Sequence, residues 1–163
     1  MVQVNSSTER GKVSRDGRPV GLFIGSWETG KDRNSTAPKL TLDLMFDAVN
    51  GRVNGYGNVS AEVSTNPPLD IHSRCDGEYT YLTVMPEHNQ IIITLVGYPT
   101  TQWAPHGGLG LVLEPNLKVH MLLTSDWESG TATYSYRTFD DQWHQIESVP
   151  VHKRAVAAQA GSA

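Results

Sequence analysis

The stretch Lys39–Asp47 alternates without interruption. Leu40, Leu42, Leu44 and Phe46 fall on one face, with Thr41, Asp43 and Met45 opposite. A period of two marks a β-strand with one buried face. Asn50-Gly51 follows, a strong hairpin signal because the tight two-residue turn needs positive φ at both positions. The return stretch Arg52–Ser64 puts Val53, Val59, Ala61 and Val63 on one face, with Gly55 and Gly57 interrupting it. Glycines inside a strand predict a bulge or sharp bend, which helps a sheet curl into a barrel or fold over into a sandwich.

Similar segments fill most of the chain. Val20–Thr29 is apolar and runs into a Gly30-Lys31-Asp32 turn. Leu69–Cys75 reads as a strand with Ile71, Ser73 and Cys75 on one face and His72 and Arg74 on the other. Asp76-Gly77 reads as a turn, and Glu78–Met85 as the next strand. Ile91–Val96 is continuously apolar, as in a central strand. Leu111–Leu113, Leu117–Thr124, Thr131–Thr138 and Trp143–Val149 complete the set. Turn signals at this spacing predict an all-β fold. The expectation is one antiparallel barrel or sandwich of about eight to ten strands, with little or no helix. The 15 Gly and 9 Pro fall largely at strand boundaries, which accounts for their number.

The 163 residues suit one domain. Residues 1–18 read as a flexible leader, 19–150 as the β-domain and 151–163 as a tail. Thirteen Lys and Arg against 17 Asp and Glu leave a net charge of −4. That balance argues against a nucleic-acid footprint or an anionic membrane surface. The chain has no apolar run of the length a membrane helix needs and opens without an apolar signal region, so the expected compartment is the cytoplasm. Cys75 is the lone cysteine and supplies neither an intrachain disulfide nor a multi-cysteine zinc site.

Candidate chemistry is sparse. The longest irregular stretch, Tyr98–Gly110, carries Trp103, Pro105, His106 and two successive glycines. It reads either as a binding loop, with Trp103 a platform and His106 a proton carrier or ligand, or as a loop whose Trp caps the core. Asp126 and Glu128 flank Trp127. They could form an acid/base pair, but a tight turn collects Asp, Ser and Gly for backbone reasons. Tyr79, Tyr81, Tyr134 and Tyr136 form an aromatic surface if their strands present them together, and otherwise they are core. The six histidines show no metal-binding spacing, and there is no nucleophile elbow or cofactor fingerprint, so no metal and no cofactor are expected. The leading expectation is a non-enzymatic binding or assembly module acting through the aromatic strands, Trp127, Asp126 and the Trp103–His106 loop. Its partner would be a second copy, another protein, or a small apolar or carbohydrate ligand. The alternatives are a barrel with a small ligand in its mouth, and a hydrolase or isomerase using His106 with Asp126 or Glu128.

Four stretches occur in an order that resembles an uncharacterised bacterial family of small β-domains of unknown function. They are Asn66–Asp70, Tyr79–Pro86, Gly97–Pro99 leading to Trp103–His106, and Ser125–Tyr134. The resemblance spans roughly residues 19–138. It implies a bacterial cytosolic protein and transfers no catalytic residue. A weaker likeness, to avidin-type barrels, rests on Gly25-Ser26-Trp27 and Met121–Ser125. It implies a meander of eight antiparallel strands without biotin binding.

Overall fold

The computed structural model describes residues 21–30, 37–61, 69–83, 89–100, 114–138 and 140–155. Eight strands form: β1 Leu22–Thr29, β2 Lys39–Asp47, β3 Arg52–Ser60, β4 Asp70–Thr83, β5 Asn89–Pro99, β6 Leu117–Thr124, β7 Ser129–Arg137 and β8 Trp143–Lys153. Each pairs antiparallel with its neighbour in chain order, and β8 returns to β1, closing a barrel. No helix occurs among the described residues.

The alternation fixes which face is inside. Leu40, Leu42, Leu44 and Phe46 of β2 are buried, as are Ile91, Ile93 and Leu95 of β5 and Leu117, Val119, Met121 and Leu123 of β6. With Trp27, Val53, Val59 and Tyr134 they fill the barrel with side chains. Their apolar area, removed from water at about 25 cal/mol per Å², is the main force holding the sheet closed.

Four local expectations change. Asp76-Gly77 is not a turn, because β4 runs straight through it, with Asp76 opposite Val96 and Gly77 opposite Leu95. Gly77 is there because β5 crosses very close. A Cβ on it would stand 1.9 Å from the Thr94 carbonyl oxygen. The β2–β3 hairpin exists, but Asp47 pairs with Arg52, so its loop holds four residues rather than two. Asp47 Oδ1 accepts the Val49 and Asn50 amides, and Gly51 alone of the loop takes positive φ, at 65°. Gly55 and Gly57 mark no bulge, since β3 keeps its register with both neighbours. The bulge lies instead between β7 and β8, where one residue, Thr133, faces two, Glu147 and Ser148. Ser148 sits at φ 50° and donates its amide to Thr133 Oγ1 at 3.1 Å. An extra residue shifts the inward parity along β8, which brings Val151 into the core. β8 also continues to Lys153, into the segment read as tail. The Leu111–Leu113 segment lies outside the described residues.

Closure is narrow. Among the described residues β1 meets β8 through Trp27–Lys153, Glu28–His152 and Thr29–Val151, extended by the Arg154 amide donating to the Ser26 carbonyl at 2.8 Å. Glu28 reinforces the seam, because its carboxylate meets Lys39 Nζ at 3.0 Å and His152 Nε2 at 3.1 Å. One acidic side chain of β1 therefore links β2 to β8.

Candidate functional site

Most of the aromatic residues singled out by the sequence point inward. Tyr79 is 8% exposed, Tyr134 1% and Tyr136 6%. The strand parity that puts Cys75 inside also puts Tyr79 inside, so the four tyrosines do not make a surface array. They divide between two packing groups. Tyr79 and Tyr81 join Phe23, Phe46 and Trp127, with Phe23 stacked on Phe46 at 4.6 Å and Trp127 edge-on to Phe46 at 5.0 Å. Tyr134 donates its hydroxyl to the Pro38 carbonyl at 2.5 Å, and Tyr136 stacks on His144 at 5.2 Å. Burial raises both hydroxyls' pKa, that of Tyr134 to about 12.

Trp127 reaches the barrel interior from the β6–β7 turn, in a left-handed backbone conformation with φ 66°. Asp126 holds that turn. Its Oδ1 accepts the Thr124 hydroxyl and the Glu128 amide. The Thr124 hydroxyl, then the Glu128 amide, hold the Asp126 carboxyl below the usual carboxylate range. Asp126 and Glu128 thus sit in a turn rather than side by side on a strand, and a carboxylate stabilised this way is a poor proton donor. Trp103 and His106 lie outside the described residues. Burial pushes the Cys75 thiol up to about 12, so it stays protonated and inert at neutral pH. Among the described residues no group of three or more His, Cys, Asp and Glu is arranged to hold a metal ion.

The exposed functional groups gather elsewhere, on the outer face of β2–β5. Cross-strand register places Asp43, Tyr56, Arg74 and Tyr98 in one outward row. Ser26 extends the row onto β1, and its Oγ donates to Asp43 Oδ1 at 2.6 Å. Tyr56 is 63% exposed and Tyr98 38%, so Arg74 stands between two exposed rings. Arg74 and Arg154 form no ion pair among the described residues. The next row holds Thr41, Asn58 and His72, and His72 Nε2 lies 3.1 Å from Asp70 Oδ1. Between the rows runs an open groove of about 390 Å³, bordered by Asp43, Tyr56, Asn58, His72, Thr100 and Arg154.

None of Tyr56, Asn58, Arg74 and Arg154 stands out in the sequence. The readable signal is parity, since Tyr56 and Asn58 are out of step with the buried Val53 and Val59 of the same strand. Their meeting with Arg74 and Tyr98 depends on strand order, which the sequence does not display. The arrangement can accept and donate hydrogen bonds and offer ring faces.

The fold is therefore a closed antiparallel meander barrel, filled inside by apolar and aromatic side chains, with Tyr56 and Tyr98 among its exposed groups. A family model described as a domain of unknown function, DUF1842, matches residues 20–143. The chain belongs to that family. The matched region takes in β1–β7 and ends at the first residue of β8. A search of curated proteins finds no match.

Proposed function

We propose that this protein is a non-enzymatic binding module that engages its partner through the outer face of β2–β5. The observation that carries the reading is the row Tyr56–Arg74–Tyr98 on three adjacent strands, with two exposed rings flanking a guanidinium that has no ion pair among the described residues. Tyr and Arg are the residue types that most often dominate binding energy, because each offers a large contact area together with directional hydrogen bonds. The filled interior favours an outer site over a ligand within the barrel.

The test is a triple substitution, Tyr56→Ala, Arg74→Ala and Tyr98→Ala, in the full chain. All three side chains point outward, so circular dichroism should match the wild type. A mixed panel of peptides and small molecules is then screened for a rise in melting temperature, and each hit is mapped by backbone NMR shifts. Hits that perturb β3–β5 and are lost in the triple variant support the reading. Hits that bind the variant equally, or that map to the segment holding Trp103 and His106, overturn it.

A further inference from the structure

The groove beside the tyrosine row has a chemistry of its own. Among the described residues that border it, Asp43 is anionic and Arg154 cationic, and His72 lies beside Asp70. The described lining thus carries one charge of each sign, with no net preference for an anion or a cation. Its other polar groups include the hydroxyls of Thr41, Thr100 and Tyr56 and the amide of Asn58, each able to donate and to accept. An apolar ligand would strand them without partners, which is unfavourable.

Asn58 is the informative member. Its Oδ1 is buried and has no hydrogen-bond partner. A native structure seldom leaves such an acceptor unpaired. Turning that oxygen toward the groove breaks no hydrogen bond of its own. Beside it the exposed Tyr56 ring offers a π-face, whose negative potential attracts C–H groups with partial positive charge. Planar carboxylate, amide and guanidinium groups each bind two neighbouring hydroxyls at once. A volume of about 390 Å³ falls within the range small ligands fill.

Resting on the outer-face reading above, we infer that the groove binds a neutral saccharide. Tyr56 stacks against the C–H face of one sugar ring, and Asp43, Asn58 and Arg154 take its hydroxyls.

The experiment is an NMR titration of the ¹⁵N-labelled full chain with glucose, galactose, mannose, maltose and cellobiose in turn, and separately with inorganic phosphate. The expected result is saturable shifts at Asn58, Tyr56 and His72 with at least one of the sugars. Affinity should fall about tenfold in Tyr56→Ala and by a similar factor in Asn58→Ala, with no saturable response to phosphate. No sugar response at these residues, a response unaffected by both substitutions, or phosphate binding in place of sugar each overturns the inference. The two proposals fail separately. If sugars are silent but peptides or other molecules still map to Tyr56, Arg74 and Tyr98, the saccharide inference falls and the outer-face module stands. If nothing maps to that face, both fall.

Discussion

The indole of Trp27 donates its Nε1–H to the main-chain carbonyl of Trp127 at 2.8 Å. This bond crosses the interior from the first strand to the β6–β7 turn, and both residues are buried. It fixes a turn whose central residue sits at φ 66°, a conformation that is uncommon for an aromatic residue. With the bond in place, the Trp127 ring rests against Phe23, Phe46 and Tyr79 at 4.9, 5.0 and 5.8 Å. Trp27→Phe keeps an aromatic ring but leaves that carbonyl without its donor, and should lower stability by about 1–3 kcal/mol. Trp127→Ala empties the aromatic cluster and should cost more, about 3–5 kcal/mol. Urea unfolding checks both. An unchanged midpoint for Trp27→Phe would show that the bond contributes nothing.

Two glycines test how tightly the barrel is drawn together. A Cβ at Gly25 would lie 2.3 Å from Trp27 Cη2, and one at Gly77 would lie 1.9 Å from the Thr94 carbonyl oxygen. The first clash is with a ring that can shift slightly. The second is with the main chain of the neighbouring strand, which cannot move without breaking the ladder. Gly25→Ala should therefore cost about 1–3 kcal/mol, and Gly77→Ala clearly more. Thermal unfolding of the two variants side by side decides the order. Equal losses would mean that β4 and β5 have slack at Thr94.

The same two glycines show what could be read in advance. Lys39–Asp47 was legible residue by residue, because a strand with one buried face must alternate. Asp76-Gly77 was misread because that dipeptide also serves tight turns. The need for glycine there comes from Thr94, which meets it only after β4 and β5 pair. Tyr79, Tyr134 and Tyr136 could be assigned to strands but not to a side of the sheet, since tyrosine suits either. In β8 the bulge at Ser148 breaks the parity that would have assigned its residues. The candidate site was the least legible part. Tyr56, Arg74 and Tyr98 lie on three separate strands, and only the pairing register of β3, β4 and β5 makes them neighbours.

Stability should fall on both sides of neutral pH, for different reasons. On the alkaline side, burial raises the Cys75 thiol and the Tyr134 hydroxyl to about 12. The fold favours their neutral forms. Their contribution is complete below their unfolded values, about 8.5 for Cys and 10 for Tyr. It is lost as pH rises from there through the folded values. On the acid side, the hydrogen bond from Lys39 holds the Glu28 carboxyl below its ordinary value, with His152 adding to the effect. That contribution is complete above about 4.3 and is lost as pH falls through the lowered value. Urea midpoints measured from pH 3 to pH 10.5 should trace a plateau with both edges falling. Cys75→Ala should flatten the decline between pH 8.5 and 9.5, before tyrosine titrates. A decline in that window as steep as wild type would assign it to another group.

The barrel should open first at its seam. β4 and β5 share a ladder from Ser73–Pro99 to Thr83–Asn89, whereas β1 and β8 share three rungs and the Arg154–Ser26 bond. Fewer cross-strand bonds and less buried apolar area make a cheaper local opening. Native-state hydrogen exchange should therefore find the Arg154 amide, which donates to the Ser26 carbonyl across the seam, exchanging through an opening of much lower free energy than the amides of Ile91, Ile93 and Leu95. Glu28→Gln removes the charge that holds Lys39 and His152 across the seam. It should speed exchange at Arg154 while leaving the β5 amides nearly unchanged. If seam and β5 amides instead exchange at one common rate in the wild type, and Glu28→Gln shifts both equally, the barrel opens as a single unit and its closure is stronger than three rungs imply.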